Sequence, residues 1–285
     1  MLLSFYLFSL APVLFFLILS IATKQREIVH RSLTLVALLH LFCLILWQGP
    51  LAFSLLVAVI FILGVYELSG HYGINRAMIL VPSLVTFALT YEYPETFLYA
   101  FPLPLLLLVV VCTFWGRPQW TSHPVFFVLF VFFLLLPCAN FLIRLAEIYL
   151  GNIILILWLL QLNDAFGLLL GRKLGKTYLF PNISPKKSLE GYLSGGAGIV
   201  LGIWLLHTYI PVLPSWNHYQ DLILFAVFFI LGNTGDLLFS RLKRNLHIKD
   251  FGGLLPGHGG VLDRFDNILF VAPPFYVLVR LGILP

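Results

Sequence analysis

Charged side chains are scarce in this chain, and several in its C-terminal third are spaced as phosphate and metal chemistry requires. Asp236, Ser240 and Lys243 are four and then three residues apart, so on a helix they share one face. A carboxylate at one end of such a stripe can hold a divalent cation, while Lys243 and the adjacent Arg244 hold phosphate oxygens. The alternative is that the two cations only anchor the helix end at lipid head groups.

A glycine-rich segment, 252–260, follows this stripe and precedes a second pair of carboxylates. Glycine lets the backbone approach a ligand closely and turn N–H groups toward anionic oxygen. Asp263 and Asp266 lie three residues apart at the predicted start of the last helix, where the helix dipole also favours anions. This combination suits metal-dependent phosphoryl chemistry, because a metal offsets the charge of the reacting phosphates.

Two carboxylates, Asp164 and Asp236, stand inside long apolar runs. A carboxylate near the bilayer centre costs roughly 2.5–3.5 kcal/mol on insertion scales, so such residues are usually retained for function. Each lies close to a predicted cytoplasmic helix end, and we expect both to face a hydrophilic cavity on that side. The alternative is a structural carboxylate that is hydrogen-bonded to a neighbouring helix.

The elements that position these residues are predicted to be membrane helices. Hydrophobic residues make up 60% of the 285 residues and charged residues only 10%, whereas a soluble domain is about 25% charged. A membrane span needs about 20 mostly apolar residues. We therefore predict an all-α fold, a polytopic transmembrane helical bundle of about nine to ten spans with a polar cavity facing the cytoplasm.

Polar residues divide the chain into ten candidate spans. The breaker Gln48-Gly49-Pro50 separates two short ones, which are alternatively a re-entrant pair or include an interfacial helix. No basic residue precedes the first run, so we expect a retained helix and not a cleaved secretory signal. The spans are 3–22, 32–47, 51–68, 77–91, 97–115, 125–145, 152–171, 192–213, 220–241 and 267–284.

Basic residues predict the orientation, because connections rich in Lys and Arg stay on the cytoplasmic side. If the spans alternate, most of these residues fall on one face, and many of them lie in the connections 172–191 and 242–266. Alternation then places both termini outside and these two connections in the cytoplasm. The net charge of +5 reflects cations at membrane edges and in these connections, so we expect head groups or a nucleotide triphosphate as partners and no nucleic acid.

The polar chemistry is concentrated in the C-terminal half. Residues 1–150 are predicted to be N-terminal transmembrane scaffold helices and residues 151–285 the C-terminal catalytic region of one integrated membrane domain. We expect an integral membrane protein of the cell's inner (plasma) membrane, and the positions of the basic connections predict that its active site faces the cytoplasm.

The segment from Ser240 to Asp266 resembles the signature of the CTP:phosphatidate cytidylyltransferases, also called CDP-diacylglycerol synthases. That signature is a run of Ser, Lys-Arg, Lys-Asp, Pro-x-His-Gly-Gly and Asp-Arg-x-Asp. The matching residues are Ser240, Lys243, Arg244, Lys249, Asp250, Pro256, His258, Gly259, Gly260, Asp263, Arg264 and Asp266.

Two further stretches are similar to this family. The loop from Ser184 to Gly191 resembles its Ser-Pro-x-Lys-Thr-x-Glu/Gln-Gly loop, and Gly235-Asp236-Leu237 matches its Gly-Asp-Leu. Upstream, the resemblance extends to hydropathy and an intramembrane Glu67. Four positions depart from the pattern: Gln161, Ala165 and Leu168 replace Trp, Ser or Thr, and Tyr around Asp164, and Ser188 replaces Thr.

The resemblance implies a magnesium-dependent nucleotidyltransferase of phospholipid biosynthesis, with one or two Mg²⁺ ions, CTP and phosphatidate as its ligands. Asp236 and Asp263 would be the main metal ligands and Asp266 a ligand or a partner of one. The implied catalytic residues are Asp236, Asp263, Lys243, Arg244 and His258, although His258 is alternatively a structural cap. The implied substrate-binding residues are Asp164, Ser184, Lys187, Ser188, Ser240, Lys249, Asp250, Gly259, Gly260 and Arg264.

Three alternatives stay open at this point. The departures around Asp164 permit another lipid phosphate as acceptor, such as an isoprenoid ether lipid or a polyprenyl phosphate. An ion path through Asp164 and Asp236 would use the intramembrane carboxylates, but it gives no reason for the segment 256–266. An inactive paralogue would be distinguished by an activity assay, and a homodimer is compatible with the sequence.

Overall fold

The computed structural model describes residues 40–93, 111, 113–114, 118–209, 217–254 and 259–284. Helices dominate these ranges, and no strand occurs in them. Tyr178 and Ser188 form an isolated antiparallel bridge. The helices are α1 (40–48), α2 (Pro50–Ser69, continued by a 3₁₀ turn at Gly70–Tyr72), α3 (Arg76–Glu92), α4 (Pro118–Thr121), α5 (Pro124–Phe130, a π turn at Val131–Leu135, and Leu136–Ile148), α6 (Gly151–Leu174), α7 (Leu189–Tyr209), α8 (His218–Val227, a π turn at Phe228–Gly232, and Asn233–Asn245) and α9 (Leu262–Arg280).

Four described helices are long and apolar enough to cross a membrane. They correspond to the predicted spans 51–68, 152–171, 192–213 and 220–241 to within a few residues, and a shorter apolar helix, Arg76–Leu89, matches 77–91. The spanning helices are Pro50–Tyr72, Gly151–Leu174, Leu189–Thr208 and His218–Asn245. The all-helical fold is therefore confirmed for the described ranges, and the total of nine or ten spans stays a prediction.

Some predicted features lie outside the described residues. The predicted span 3–22 is wholly outside them, the first half of the span 32–47 is outside, and most of the span 97–115 is outside. The breaker at Gln48-Gly49-Pro50 is within them and does separate α1 from α2. Gly49 has a φ of 100°, which only glycine adopts at little cost, and Pro50 occupies the first turn of α2, where its missing N–H is not needed.

Helices α6 and α7 pack with their backbones in close contact. A Cβ atom on Gly171 would lie 3.0 Å from the Cα of Gly191, and one on Gly198 would lie 2.6 Å from the carbonyl oxygen of Leu162. Small residues permit this approach in a membrane, where close packing stabilises helix association. Asp164 therefore lies on a helix that is closely packed against its neighbour.

Helix α9 lies at the centre of the described structure. It packs against α2, α5, α6 and α8, and its Phe275 is fully buried with an edge contact to Phe228 at 5.7 Å between ring centroids. The N-terminal part of α9, which holds Asp263 and Asp266, therefore belongs to a helix that packs against helices from both sides of residue 150.

Candidate active site

The polar stripe on α8 exists as the spacing predicted. The Oγ of Ser240 donates to Oδ1 of Asp236 at 3.3 Å, one helical turn away. Lys243 continues the stripe and donates from Nζ to Oδ1 of Asp263 on α9, at 2.8 Å. The stripe therefore joins the second part of α8 to the first turn of α9.

Lys187, from the connection between α6 and α7, pairs with Asp236. Both side chains are partly exposed, at 24% and 31%. Burial alone would lower the pKa of Lys187, but the Asp236 carboxylate and Tyr192 outweigh it and hold the pKa above its ordinary value. Lys187 therefore carries a positive charge beside the carboxylate predicted to bind a metal.

Three carboxylates converge on this region from different helices. The charge of Asp236 on α8 repels those of Asp164 on α6 and Asp266 on α9. Asp266 is only 8% exposed, whereas Asp164 keeps accessible surface although protein atoms surround it densely. The cluster therefore concentrates negative charge that a cation would offset.

Two amides orient the Asp164 carboxylate. The Nδ2 of Asn267 donates to its Oδ2 at 3.0 Å, and the Nδ2 of Asn163 donates to its Oδ1 at 3.2 Å. Sequence reasoning missed both residues, although an amide next to an intramembrane carboxylate in Asn163-Asp164 and Asp266-Asn267 was a usable signal.

Asp263 fastens the glycine-rich segment to α9. Its Oδ2 accepts from the backbone N–H groups of Phe251, at 2.9 Å, and Gly260, at 3.0 Å. Its Oδ1 is taken by Lys243, and its side chain is only 3% exposed. The predicted metal ligand thus also ties together the two ends of the segment.

The connection between α6 and α7 is folded over α8 by local hydrogen bonds. The Oε2 of Glu190 accepts from the N–H groups of Lys176 and Thr177 at 3.0 and 3.2 Å. The Nε of Arg244 donates to the carbonyl oxygen of Ile183 at 3.3 Å. These contacts hold the connection where Lys187 pairs with Asp236. Glu190 thus positions the connection, which its place in the loop motif does not reveal.

Ser188 is not brought into the polar cluster. It is 2% exposed, and its Oγ accepts from the N–H of Gly191 at 3.2 Å, beside the close contact of α6 and α7. Because α6 and α7 pack closely beside Ser188, a small side chain is favoured at this position.

Some of the other predicted site residues are within the described part of the chain, and the rest are outside it. Lys249, Asp250, Arg244 and Arg264 are exposed, and Ser184 and Gly259 are partly buried, with Gly259 at a φ of 83°. Gly260, the last residue of the glycine-rich segment, is buried. His258 and Pro256 lie outside the described residues.

The donor chemistry of the cluster fits Mg²⁺, which prefers carboxylate oxygens. Within the described part of the chain, no three His, Cys, Asp or Glu side chains stand together as a ready-made metal site. Two of the predicted metal ligands are instead paired with cations, Asp236 with Lys187 and Asp263 with Lys243.

Comparison with known proteins gives consistent matches. Residues 29–282 match the model of the cytidylyltransferase family. The chain is 30% identical to a phosphatidate cytidylyltransferase of Bacillus subtilis over 276 residues, which are 90% of this chain and 98% of that protein. It is 31% identical to that of Aquifex aeolicus over 187 residues, 66% of this chain and 70% of that protein. It is 39% identical to that of Thermotoga maritima over 134 residues, 46% of this chain and 50% of that protein.

Proposed function

The chain belongs to the cytidylyltransferase family, and from that premise we propose that it transfers the cytidylyl group of CTP to phosphatidate, giving CDP-diacylglycerol and pyrophosphate. The relatives that bear this activity in their names match over up to 98% of their length. The observation that carries the proposal is that two cations contact two of the predicted metal ligands, Lys187 with Asp236 and Lys243 with Asp263. A carboxylate cluster rimmed by cations suits a nucleotide triphosphate with its metal.

The reaction is an in-line displacement at phosphorus. An oxygen of the phosphatidate phosphate forms a bond to the α-phosphorus of CTP, and the bond from that phosphorus to the oxygen bridging the α- and β-phosphates breaks. Pyrophosphate leaves with the electron pair of the broken bond. The acceptor needs no general base, because a phosphate monoester is already largely dianionic near neutral pH.

The cations of the site have separate tasks in this proposal. Lys187 and Lys243 bind phosphate oxygens once these replace the carboxylates that now pair with them, and Arg244 and Arg264 extend the cationic rim toward the cytoplasm. The oxygens of Asp236, with Asp263 and Asp266, would hold Mg²⁺. Bound there, the metal would supply charge neutralisation between the two anionic phosphates.

The site also needs access for a water-soluble nucleotide and a lipid. We infer that Asp164 and Asp236 line a polar cavity that opens to the cytoplasm between α6, α8 and α9. The accessible surface of both residues supports this inference. The cationic connections on either side of the cavity match the cytoplasmic face on which CTP is found.

A second acceptor is favoured by one observation. Gln161, Ala165 and Leu168, which depart from the family pattern, are all exposed on the helix that carries Asp164. In this proposal, residues on this face would contact the lipid. An isoprenoid ether lipid phosphate or a polyprenyl phosphate is therefore the alternative acceptor.

The test is a product assay. Purified protein is incubated with radiolabelled CTP, Mg²⁺ and, separately, phosphatidate, an isoprenoid ether lipid phosphate and a polyprenyl phosphate. We expect labelled CDP-diacylglycerol and release of pyrophosphate with phosphatidate. Faster turnover of one of the other lipids would identify that lipid, and not phosphatidate, as the acceptor. The absence of product with every lipid would identify an inactive paralogue and overturn the proposal.

A further inference from the structure

Glu67, near the C-terminal end of α2, reaches the first turn of α9. Its Oε1 accepts from the N–H of Val261 at 3.0 Å, and its Oε2 accepts from the N–H of Leu262 at 3.1 Å. Helix α9 has no side-chain cap of its own at Val261. Glu67 therefore supplies the cap from a distant part of the sequence, and its charge also meets the positive end of the helix dipole.

His71 holds the other end of the glycine-rich segment. Its Nε2–H donates to the carbonyl oxygen of Phe251 at 2.8 Å, since a carbonyl can only accept. Glu67 and His71 are four residues apart across the end of α2 and its 3₁₀ turn. The two residues therefore contact the positions that flank the segment: His71 contacts Phe251, and Glu67 contacts Val261.

The same ends hold Asp263. The N–H groups of Phe251 and Gly260 both donate to its Oδ2. A change in the path of the segment at either end thus moves the donors that orient this carboxylate, and with it the partner of Lys243.

Two glycines of the segment make room for Glu67. A Cβ on Gly252 would collide with Oε1 of Glu67, and the three nearest atoms to it all belong to that side chain. A Cβ on Gly260 would lie 2.6 Å from Oε2 of Glu67. By contrast, a Cβ on the neighbouring Gly253 would meet nothing within 4 Å. Glycine at positions 252 and 260 therefore leaves the space that the Glu67 side chain occupies.

We propose that Glu67 is a positioning residue for cytidylyl transfer: it holds the two ends of the glycine-rich segment and thereby orients the Asp263 carboxylate. The proposal depends on the proposed function for its catalytic consequence. It also gives a role to a carboxylate in an apolar helix that supplies none of the cluster, although inserting such a carboxylate into a membrane is costly.

The first arm of the test measures the segment directly. Amide hydrogen exchange is followed in protein embedded in lipid nanodiscs without substrate, for wild type, Glu67→Gln and Glu147→Gln. The Glu67→Gln change keeps the shape of the side chain but replaces one accepting oxygen by an NH₂ group that faces an N–H donor. We expect exchange of the amides at 260–262 to rise at least tenfold in Glu67→Gln, with α6 and α7 unchanged. Glu147→Gln removes a carboxylate from a partly exposed pair with Arg144 and should leave 260–262 unchanged.

The second arm uses the steric relation with Gly252. Gly252→Ala should raise exchange at 260–262 and lower kcat at least tenfold in the wild-type background. In a Glu67→Ala background, adding Gly252→Ala should change neither quantity further, because the colliding atoms are gone. Gly253→Ala is the matched control for exchange and should match wild type.

The outcomes separate this inference from the proposed function. Unchanged exchange at 260–262 in Glu67→Gln, or additive effects of the two substitutions, overturns the positioning role. So does a rise in exchange that spreads over α6 and α7, because this indicates general destabilisation. Wild-type turnover is measured in parallel: an active wild type with an equally active Glu67→Gln overturns the positioning role alone, whereas a wild type inactive on every lipid phosphate overturns the proposed function.

Discussion

Lys243 on α8 and Asp263 on α9 form a more deeply buried ion pair than Lys187 and Asp236. Their Nζ to Oδ1 distance is 2.8 Å, and the side chains are 14% and 3% exposed. Asp263 has two backbone donors besides the lysine. Its charge is thus well satisfied as it stands, and loss of the lysine would leave a buried carboxylate with hydrogen bonds but no countercharge.

We therefore predict that Lys243→Met destabilises the protein and that Asp263→Asn, added to it, restores part of the stability. The single change should lower the free energy of unfolding by roughly 3 kcal/mol, since it leaves a buried charge unpaired. Thermal unfolding in detergent measures this as a lower Tm. Cytidylyl transfer should be lost in both variants. A double variant whose Tm is no higher than that of Lys243→Met would contradict the predicted coupling between Lys243 and Asp263.

Turnover is predicted to depend strictly on a divalent cation. CTP and the acceptor bring several negative charges together in a partly dehydrated site, where their repulsion is strong. Initial rates are measured with Mg²⁺, with excess chelator, and with chelator followed by added Mg²⁺. Full turnover in excess chelator would show that the reaction needs no divalent cation. Failure of added Mg²⁺ to restore the rate would indicate that another cation is required.

The connection between α6 and α7 is predicted to be cytoplasmic. It carries Lys187 over the site and contains the exposed Asn182, whose replacement by cysteine gives a labelling position away from the cluster. The native cysteines are first replaced by alanine in an active background. A membrane-impermeant thiol reagent should label this position only after cells are opened, and labelling of intact cells would reverse the topology.

The sequence was most informative where the contacts are local. Asp236 and Ser240 are a turn apart on one helix, so their shared face follows from helix geometry alone. The start of α9 and the break before Pro50 also followed from short-range signals. The family signature then identified the reaction, because its residues lie in one continuous segment.

Contacts between distant segments were not predictable in this way. Glu67 and Val261 are 194 residues apart, and nothing in helix periodicity pairs them. The amide of Asn267 reaches Asp164 across 103 residues for the same reason. Its place in a motif predicts that Ser188 binds substrate, whereas its burial against Gly191 depends on how closely α6 and α7 pack.

The sharpest prediction concerns Asp236, which we expect to be required for catalysis and not for folding. Replacement by Asn keeps the shape and the contact with Ser240 but removes the charge that a hard cation needs. Lys187 loses its partner, yet its side chain is 24% exposed and can turn toward water, so the variant should purify at near-normal yield.

Product formation by Asp236→Asn should fall by a factor of roughly a hundred or more, since a lost metal contact is worth several kcal/mol in the transition state. The matched comparison is Asp164→Asn, in which an amide replaces a carboxylate held by Asn163 and Asn267. Because Asp164 is not one of the proposed metal ligands, we expect a smaller loss of turnover there, while its new NH₂ group faces one of the two amide donors and should lower the yield. Yield and initial rate are measured for both variants with CTP and phosphatidate at saturation. If Asp236→Asn keeps more than about a third of wild-type activity, the loss of charge has cost under roughly 1 kcal/mol, and Asp236 is not a principal metal ligand.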